Sequence, residues 1–229
     1  MDKGVRSMNG IITLADIMQD REVNTYIRLG NQYLGSMGFT EHGPRHLKVV
    51  ADRGRHIMTE LGFSEREIEL AAIAAYLHDI GNVINRVGHS QSGAILALSI
   101  LQRLGMPLDE TAIIMGAIGN HDESSGTPVN AIAAALILAD KSDVHRLRVR
   151  NPDVATFDIH DRVNYAVEES HLVVDGRQRS VTMELTIDIK ICPVMEYFEI
   201  FLTRMLLCRR AAEFLEARFG LLINDTRML

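Results

Sequence analysis

The segment AYLHDIGN, residues 75–82, places His78 and Asp79 at the end of an apolar run and just before a glycine. Burying two ionisable groups costs free energy unless they are paired or bind a metal ion. Imidazole and carboxylate groups suit borderline or hard divalent cations such as Fe, Mn, Zn, Ni or Co. The pair therefore points to metal chemistry, although a histidine at an ordinary helix end would leave the same short pattern.

More side chains of the metal-ligand type stand near helix ends or on apolar faces, and they are His46, His89, His121 and Asp140. Alternate helix ends meet in an antiparallel bundle, so these residues can converge on the first pair. Asp122 follows His121 and is a candidate to orient an imidazole or to act as a general acid or base. A polar residue that merely ends a helix is the alternative for Asp122.

The elements that position these residues are predicted from apolar periodicity and from glycine at most joints. Pro44 suits a first helical turn, and Ser64 with Glu67 has the spacing of a capping box. The predicted helices span residues 21–37, 44–61, 64–81, 89–104, 107–120 and 129–145. These helices would form an all-α body.

The helical pattern of apolar residues ends at about residue 150. A loop and a short helix precede an alternating segment around Asp175, which predicts a β-hairpin. A long helix then begins at Pro193 and runs to Gly220, and the following LLIND is a candidate short strand. Residues 151–229 are therefore expected to form an α+β unit that packs on the helical body.

The motifs RHLKVVA, AYLHDIGN, HSQSGA, IGNHDESSG and LILADKSD, in this order, resemble the HD superfamily of metal-dependent phosphohydrolases. The resemblance covers about residues 40–150. The layout is most similar to branches with an extra pair of histidines, such as the bacterial dinucleoside tetraphosphate hydrolases, and more distantly to the HD-GYP cyclic-di-nucleotide phosphodiesterases. The resemblance implies an all-α HD-type helical bundle, the phosphohydrolase domain, over residues 1–150. A small α+β C-terminal extension, a β-hairpin plus a long helix, would follow over residues 151–229.

Carried over by motif, the resemblance implies divalent metals, two per chain, with Fe or Mn favoured and Zn, Ni, Co or Mg as alternatives. The first metal would be held by His46, His78, Asp79 and Asp140. The second metal would be held by His89 and His121, with Asp79 bridging. Water activated by the metals would attack phosphorus, which makes Asp79 and Asp122 the candidate catalytic residues.

Two departures from the family pattern bear on the substrate. Many members carry lysine after HDIG, where this chain has Asn82, so a cation often near the scissile phosphate is missing there. The GYP signature is absent after HDESSG, which argues against a cyclic-di-GMP enzyme. The candidates for binding the negative charge of a substrate are Lys141, Arg146 and Arg150, and a solvated basic face is the alternative.

Composition limits the class of partner. The formal charge of −6 gives no sign of the basic surface that binds nucleic-acid polymers. Apolar runs stay short of the ~20 residues of a membrane span, and the N-terminus lacks the order of a signal peptide, so we expect a cytoplasmic protein. Cys192 and Cys208 are expected to be buried reduced thiols. An apolar stripe on the long helix would pack in the core or form a homodimer seam.

We therefore expect a metal-dependent phosphohydrolase or phosphodiesterase that acts on a nucleotide or another small phosphorylated molecule. One alternative is a metal-containing ligand-binding or regulatory module without turnover, which Asn82 and the extension would allow. The other alternative is a di-iron oxygenase on the same scaffold.

Overall fold

The structure, a computed structural model, describes residues 11–229. The start of the chain, where no signal peptide is expected, lies mainly outside the described residues. Within these residues the chain forms nine α-helices and four β-strands. The helices are α1 Leu14–Gln19, α2 Arg21–Ser36, α3 Pro44–Glu60, α4 Glu65–Leu77, α5 His89–Leu104, α6 Leu108–Gly119, α7 Ala131–Ser142, α8 Ile159–Ala166 and α9 Val194–Phe214. The strands are β1 Val167–Asp175, β2 Ser180–Ile187, β3 Arg218–Ile223 and β4 Thr226–Arg227.

The helices begin and end where side chains or glycine satisfy the terminal backbone groups. Ser64 and Glu67 form the predicted capping box at the start of α4. Gly105 ends α5 with φ of 91°, a conformation that favours glycine. The short helix α1 is missing from the prediction because its six residues are too few to show a period, although Thr13 caps it.

Three helix ends differ from the prediction. α4 ends at Leu77 rather than at Gly81, and the chain forms a short 3-10 helix over Ile80–Val83 instead. α7 ends at Ser142 rather than near residue 145, because Asp143 leaves the helical conformation and its carboxylate contacts His46. Arg146 and Arg150 therefore do not share the face of a longer α7. α9 ends at Phe214 rather than at Gly220, because residues 218–223 extend to pair with β2.

The four strands form one sheet in the order β1-β2-β3-β4. β1 and β2 are antiparallel, and Asp175 pairs with Ser180 beside the turn, which confirms the hairpin. β2 and β3 are parallel, so their connection has to cross over the sheet, and α9 is that connection. β4 pairs antiparallel with the end of β3. The candidate strand after the long helix is therefore part of a larger sheet than a hairpin alone.

One hydrophobic core joins the helices to the sheet. α9 packs against α7 and against β3, so the C-terminal elements share this core with the helices that precede them. The predicted fold class, an all-α bundle with a small α+β extension of hairpin and long helix, is confirmed. Cys192 and Cys208 are free and buried. The division into 1–150 and 151–229 stays a prediction.

The apolar stripe of α9 is divided between core and surface. Phe201 and Met205 are buried, whereas Met195 and Leu206 are exposed. Homodimer formation and a cytoplasmic location stay predictions. Across residues 11–229, we find no helix with the length and apolar character needed to cross a membrane.

Candidate metal centre

The six side chains predicted as metal ligands come together where the ends of five helices meet. His46 lies in the first turn of α3, and His78 and Asp79 directly follow α4. His89 is the first residue of α5, His121 follows α6, and Asp140 lies in the last turn of α7. All six residues are at most 8% exposed. The fold therefore buries six ionisable groups in one place.

Gly81 allows the chain to turn between α4 and α5. Residues Ile80–Val83 form a short 3-10 helix there. A Cβ atom added to Gly81 would lie 2.0 Å from the carbonyl oxygen of His89 and 2.6 Å from the amide nitrogen of Gly93. Only glycine allows α5 to lie this close, and this approach brings His89 next to Asp79.

Each of the four histidines has its Nδ1 atom held by a hydrogen bond. His46 donates to Oδ2 of Asp143 at 2.7 Å, and His78 to the carbonyl of Ala75 at 2.7 Å. His89 donates to the carbonyl of Arg86 at 2.9 Å, and His121 to the carbonyl of Ile118 at 2.6 Å. Such bonds fix the ring orientation and leave Nε2 as the atom that a metal binds.

The Nε2 atoms of His46 and His78 are buried and have no hydrogen-bond partner among residues 11–229. His46 Nε2 lies 3.3 Å from Oδ1 of Asp140, and His78 Nε2 lies 3.2 Å from Oδ2 of Asp79. Two ligand atoms on one tetrahedral ion of the zinc type lie about 3.3–3.7 Å apart. The unpartnered nitrogens and their spacing therefore fit a divalent metal.

Asp79 faces histidines on both sides. Its Oδ2 atom lies 3.2 Å from Nε2 of His78, and its Oδ1 atom lies 3.4 Å from Nε2 of His89. His89 Nε2 lies in turn 3.1 Å from Nε2 of His121. The carboxylate of Asp79 thus faces His78 with one oxygen and His89 with the other.

Two sets of three ligand atoms lie within 4.8 Å of one another in the described part of the chain. The first set comes from His46, His78 and Asp140, and the second from His78, Asp79 and His121. Histidine and carboxylate donors of this kind suit Fe, Mn or Zn. The donor set therefore fits the predicted cofactor class.

Burial and charge give the histidines very different pKa values. Burial lowers the pKa of His78, but the charges of Asp79 and Asp140 outweigh burial and raise it to about 10. Burial and the charge of His78 lower the pKa of His121 to about 3. A proton on His78 therefore supplies positive charge to the two carboxylates, and a divalent cation can replace it there.

Two residues that face this cluster were missed as site residues by the sequence analysis. Arg86 Nη1 lies 3.4 Å from Asp79 Oδ1 and 3.4 Å from His89 Nε2, and the side chain is 27% exposed. His42 packs its ring edge-on against His46, with 5.7 Å between centroids. The signal for Arg86 was its position three residues before His89. His42 precedes its helix by two residues and carries no such signal.

The remaining predicted residues lie around the cluster. Asp122 Oδ2 is 3.4 Å from Nδ1 of His89, on the side of the ring away from Nε2. Lys141 is buried between two carboxylates, Oδ2 of Asp140 at 2.6 Å and Oε2 of Glu123 at 2.7 Å. Both arrangements suit residues that hold metal ligands in place.

The two predicted arginines point to other partners. Arg146 pairs with Glu168 at 2.9 Å, and Arg150 donates to Asn31. The polar contacts of the described residues do not join either arginine to the six clustered side chains. A role of these arginines, or of Lys141, toward a substrate stays a prediction.

The chain is similar in sequence to a known domain family and to other proteins. Residues 45–171, a span of 127 in a chain of 229, match the HD domain family. An uncharacterized protein of Methanocaldococcus jannaschii is 26% identical over 207 residues, and the alignment covers 79% of each chain. The crystal structure of a predicted HD superfamily hydrolase from an uncultured Thermotogales bacterium is 25% identical, with a TM-score of 0.45. That match covers 58% of this chain and 75% of the other.

Proposed function

The chain belongs to the HD domain family, and we propose that it is a metal-dependent phosphohydrolase or phosphodiesterase acting on a nucleotide or another small phosphorylated molecule. The family supports a hydrolase, and the clustered histidines and aspartates support a divalent metal cofactor. The type of phosphate bond and the substrate are part of the proposal.

The observation that carries the proposal is the pair of unpartnered nitrogens in the core. Nε2 of His46 and Nε2 of His78 are buried without a hydrogen bond within residues 11–229. Each nitrogen faces a carboxylate oxygen at 3.2–3.3 Å, and a proton or a metal ion between them offsets a burial cost of about 1–3 kcal/mol for each unsatisfied group. A metal ion shared with Asp79 and Asp140 would satisfy both nitrogens, so the cost of the arrangement supports a metal-binding role.

We further propose that two metals would bind and that Asp79 would be a ligand of both. His46, His78 and Asp140 would complete the first site, and His89 with His121 the second. The support is that Oδ2 of Asp79 faces His78 while Oδ1 faces His89. A carboxylate oriented in this way suits two neighbouring ions better than one.

The residues around the ligands would then bind the phosphoryl group and orient a metal ligand. A divalent pair, when bound, lowers the pKa of water and polarises phosphoryl oxygens. Arg86, partly exposed beside Asp79, would donate to the phosphoryl oxygens where negative charge develops. The hydrogen bond from Nδ1 of His89 to the carbonyl of Arg86 would keep Nε2 directed at the cluster, and Asp122, 3.4 Å from Nδ1, would support this orientation by its negative charge.

The test is phosphate release from a panel of phosphomonoesters, dinucleotides and dinucleoside polyphosphates. Protein loaded with Mn²⁺ or Fe²⁺ under anaerobic conditions should release phosphate or split a diester, and chelated protein should not. Turnover that persists after complete chelation would contradict the proposal. Metal-loaded protein that binds a panel member without hydrolysing it would favour a binding module, and metal-dependent oxygen consumption would favour a di-iron oxygenase.

A further inference from the structure

A chain of four charged side chains leads from the metal cluster to the C-terminal helix. Lys141 Nζ lies 2.6 Å from Oδ2 of Asp140 and 2.7 Å from Oε2 of Glu123. Glu123 Oε1 lies 3.0 Å from Nη2 of Arg204, which belongs to α9. These four side chains are two carboxylates and two cations, so their summed charge is zero.

The first contact in this chain determines how Asp140 faces the histidines. Lys141 engages Oδ2 of Asp140, so Oδ1 is the oxygen that lies 3.3 Å from Nε2 of His46. A carboxylate whose second oxygen is held in this way presents a single, fixed oxygen to a metal. The position of the Lys141 ammonium therefore bears directly on the geometry of the cluster.

Glu123 and Arg204 hold that ammonium in place. Lys141 is only 4% exposed, and its other carboxylate partner, Glu123, stands two residues after His121. The pairing thus ties the end of α7 to the segment that follows α6. Arg204 fixes Glu123 from α9, and its guanidinium lies 4.0 Å above the ring of Phe201, which restricts its movement.

We infer that Glu123 and Arg204 are positioning residues of the metal centre, through which α9 controls the orientation of Asp140. This inference rests on the proposed metal site. It gives the C-terminal extension a function in metal binding besides its packing in the core. Neither residue touches a ligand nitrogen of the cluster in the described structure, and their effect passes through Lys141.

The test asks whether the affinity for metal depends on the positions of these side chains or only on their net charge. Glu123→Gln removes a negative charge, Arg204→Met removes a positive one, and the double variant leaves the net charge unchanged. Glu123→Asp keeps the charge but withdraws the carboxylate. Arg204→Lys keeps the cation, and Arg209→Met is the control, since Arg209 lies on α9 with its side chain 51% exposed.

The affinity of metal-free full-length protein for Mn²⁺ would be measured by competition with a chromophoric chelator, together with the absorption spectrum of the Co²⁺ form. If the two residues position Asp140, the affinity for Mn²⁺ should fall by about tenfold or more in Glu123→Gln, Arg204→Met, Glu123→Asp and the double variant. The Co²⁺ spectrum of these variants should also change. Arg204→Lys should recover most of the loss, and Arg209→Met should match the wild type.

If only the net charge matters, the variants should follow a different order of metal affinity, and that result would overturn the inference. In that case Arg204→Met would bind the dication more tightly, and Glu123→Asp and the double variant would match the wild type. A lower melting temperature in chelator with unchanged Mn²⁺ affinity would overturn it too, since the pair would then be only structural. If Arg204→Met does not fold, Glu123→Asp decides. Wild-type protein that binds no metal would instead contradict the proposed function itself.

Discussion

Nδ1 of His46 lies 2.7 Å from Oδ2 of Asp143, and this bond joins the first turn of α3 to the residue that directly follows α7. Arg45 also donates to Oδ2 of Asp143, at 2.9 Å. Burial would raise the pKa of Asp143, but the hydrogen bond from His46 and the charge of Arg148 hold it well below its usual value. A charged acceptor behind His46 makes Nε2 a stronger donor to a metal.

We therefore predict that Asp143→Asn weakens divalent metal binding about 10- to 100-fold. The neutral amide still fills the space but no longer increases the basicity of His46. The measurement is Mn²⁺ titration of metal-free protein, with Asp52→Asn, an exposed position on α3, the helix of His46, as the control. Equal affinity of wild type and Asp143→Asn would refute this role.

Arg86 gives a second prediction, on the binding of phosphate. Arg86→Met should weaken the affinity of metal-loaded protein for inorganic phosphate by about tenfold to a hundredfold, because a charge-assisted hydrogen bond contributes about 1.5–3 kcal/mol. Metal content should stay the same or rise, since a cation near Asp79 and His89 is removed. Calorimetry with Arg177→Met, an exposed arginine of the hairpin turn, as the control checks this. Unchanged phosphate affinity would show that Arg86 does not meet the substrate.

The sequence analysis found the six clustered residues because each lies at a helix end or on an apolar face, where a histidine or aspartate is conspicuous. The six helices that carry most of the bundle were also predictable from period and glycine stops. Arg86 and Glu123 were not predicted because both lie in irregular segments, where no period indicates the direction of a side chain. Glu123 in addition meets Lys141 and Arg204 only through tertiary contacts. The end of α9 was predicted too late because residues 215–220 continue the apolar pattern of the helix, whereas residues 218–220 extend in the structure to pair with β2.

Gly81 provides a prediction about the backbone. Gly81→Ala should destabilise the fold by about 1–3 kcal/mol or more, because its Cβ would lie 2.0 Å from the carbonyl oxygen of His89. It should also weaken metal binding by displacing His89. Gly119→Ala is the matched control: its Cβ would meet only Cβ of Ala94 at 3.8 Å, and alanine favours the helix. The melting temperatures of both variants would be measured in the presence of a chelator. Equal melting temperatures would contradict the close approach of α5 to Gly81.

The ion pair between Arg66 and Glu110 predicts a pH-dependent stability. Arg66 Nε donates to Glu110 at 2.8 Å, and the hydrogen bonds from Arg66 hold the pKa of Glu110 below its usual value of 4.5. Because the folded pKa is lowered, the stabilisation is present above about pH 4.5 and is lost as the pH falls through the folded value.

Glu110→Gln should therefore lower the free energy of unfolding by about 1 kcal/mol at neutral pH, and the difference should shrink below about pH 4.5. Urea unfolding in chelator across this range is the measurement. Asp109→Asn, exposed in the same helical turn, controls for the helix dipole. A difference that stays constant with pH would argue against the ion pair.

The most direct test of the metal centre is elemental analysis of anaerobically purified protein, compared with the double variant His89→Ala and His121→Ala. The proposed site predicts about two divalent metals per chain in the wild type, falling towards one in the variant. One metal in both proteins would contradict the second site alone. Wild-type protein that holds no metal, and takes up none when Fe²⁺ or Mn²⁺ is supplied, would contradict the central claim.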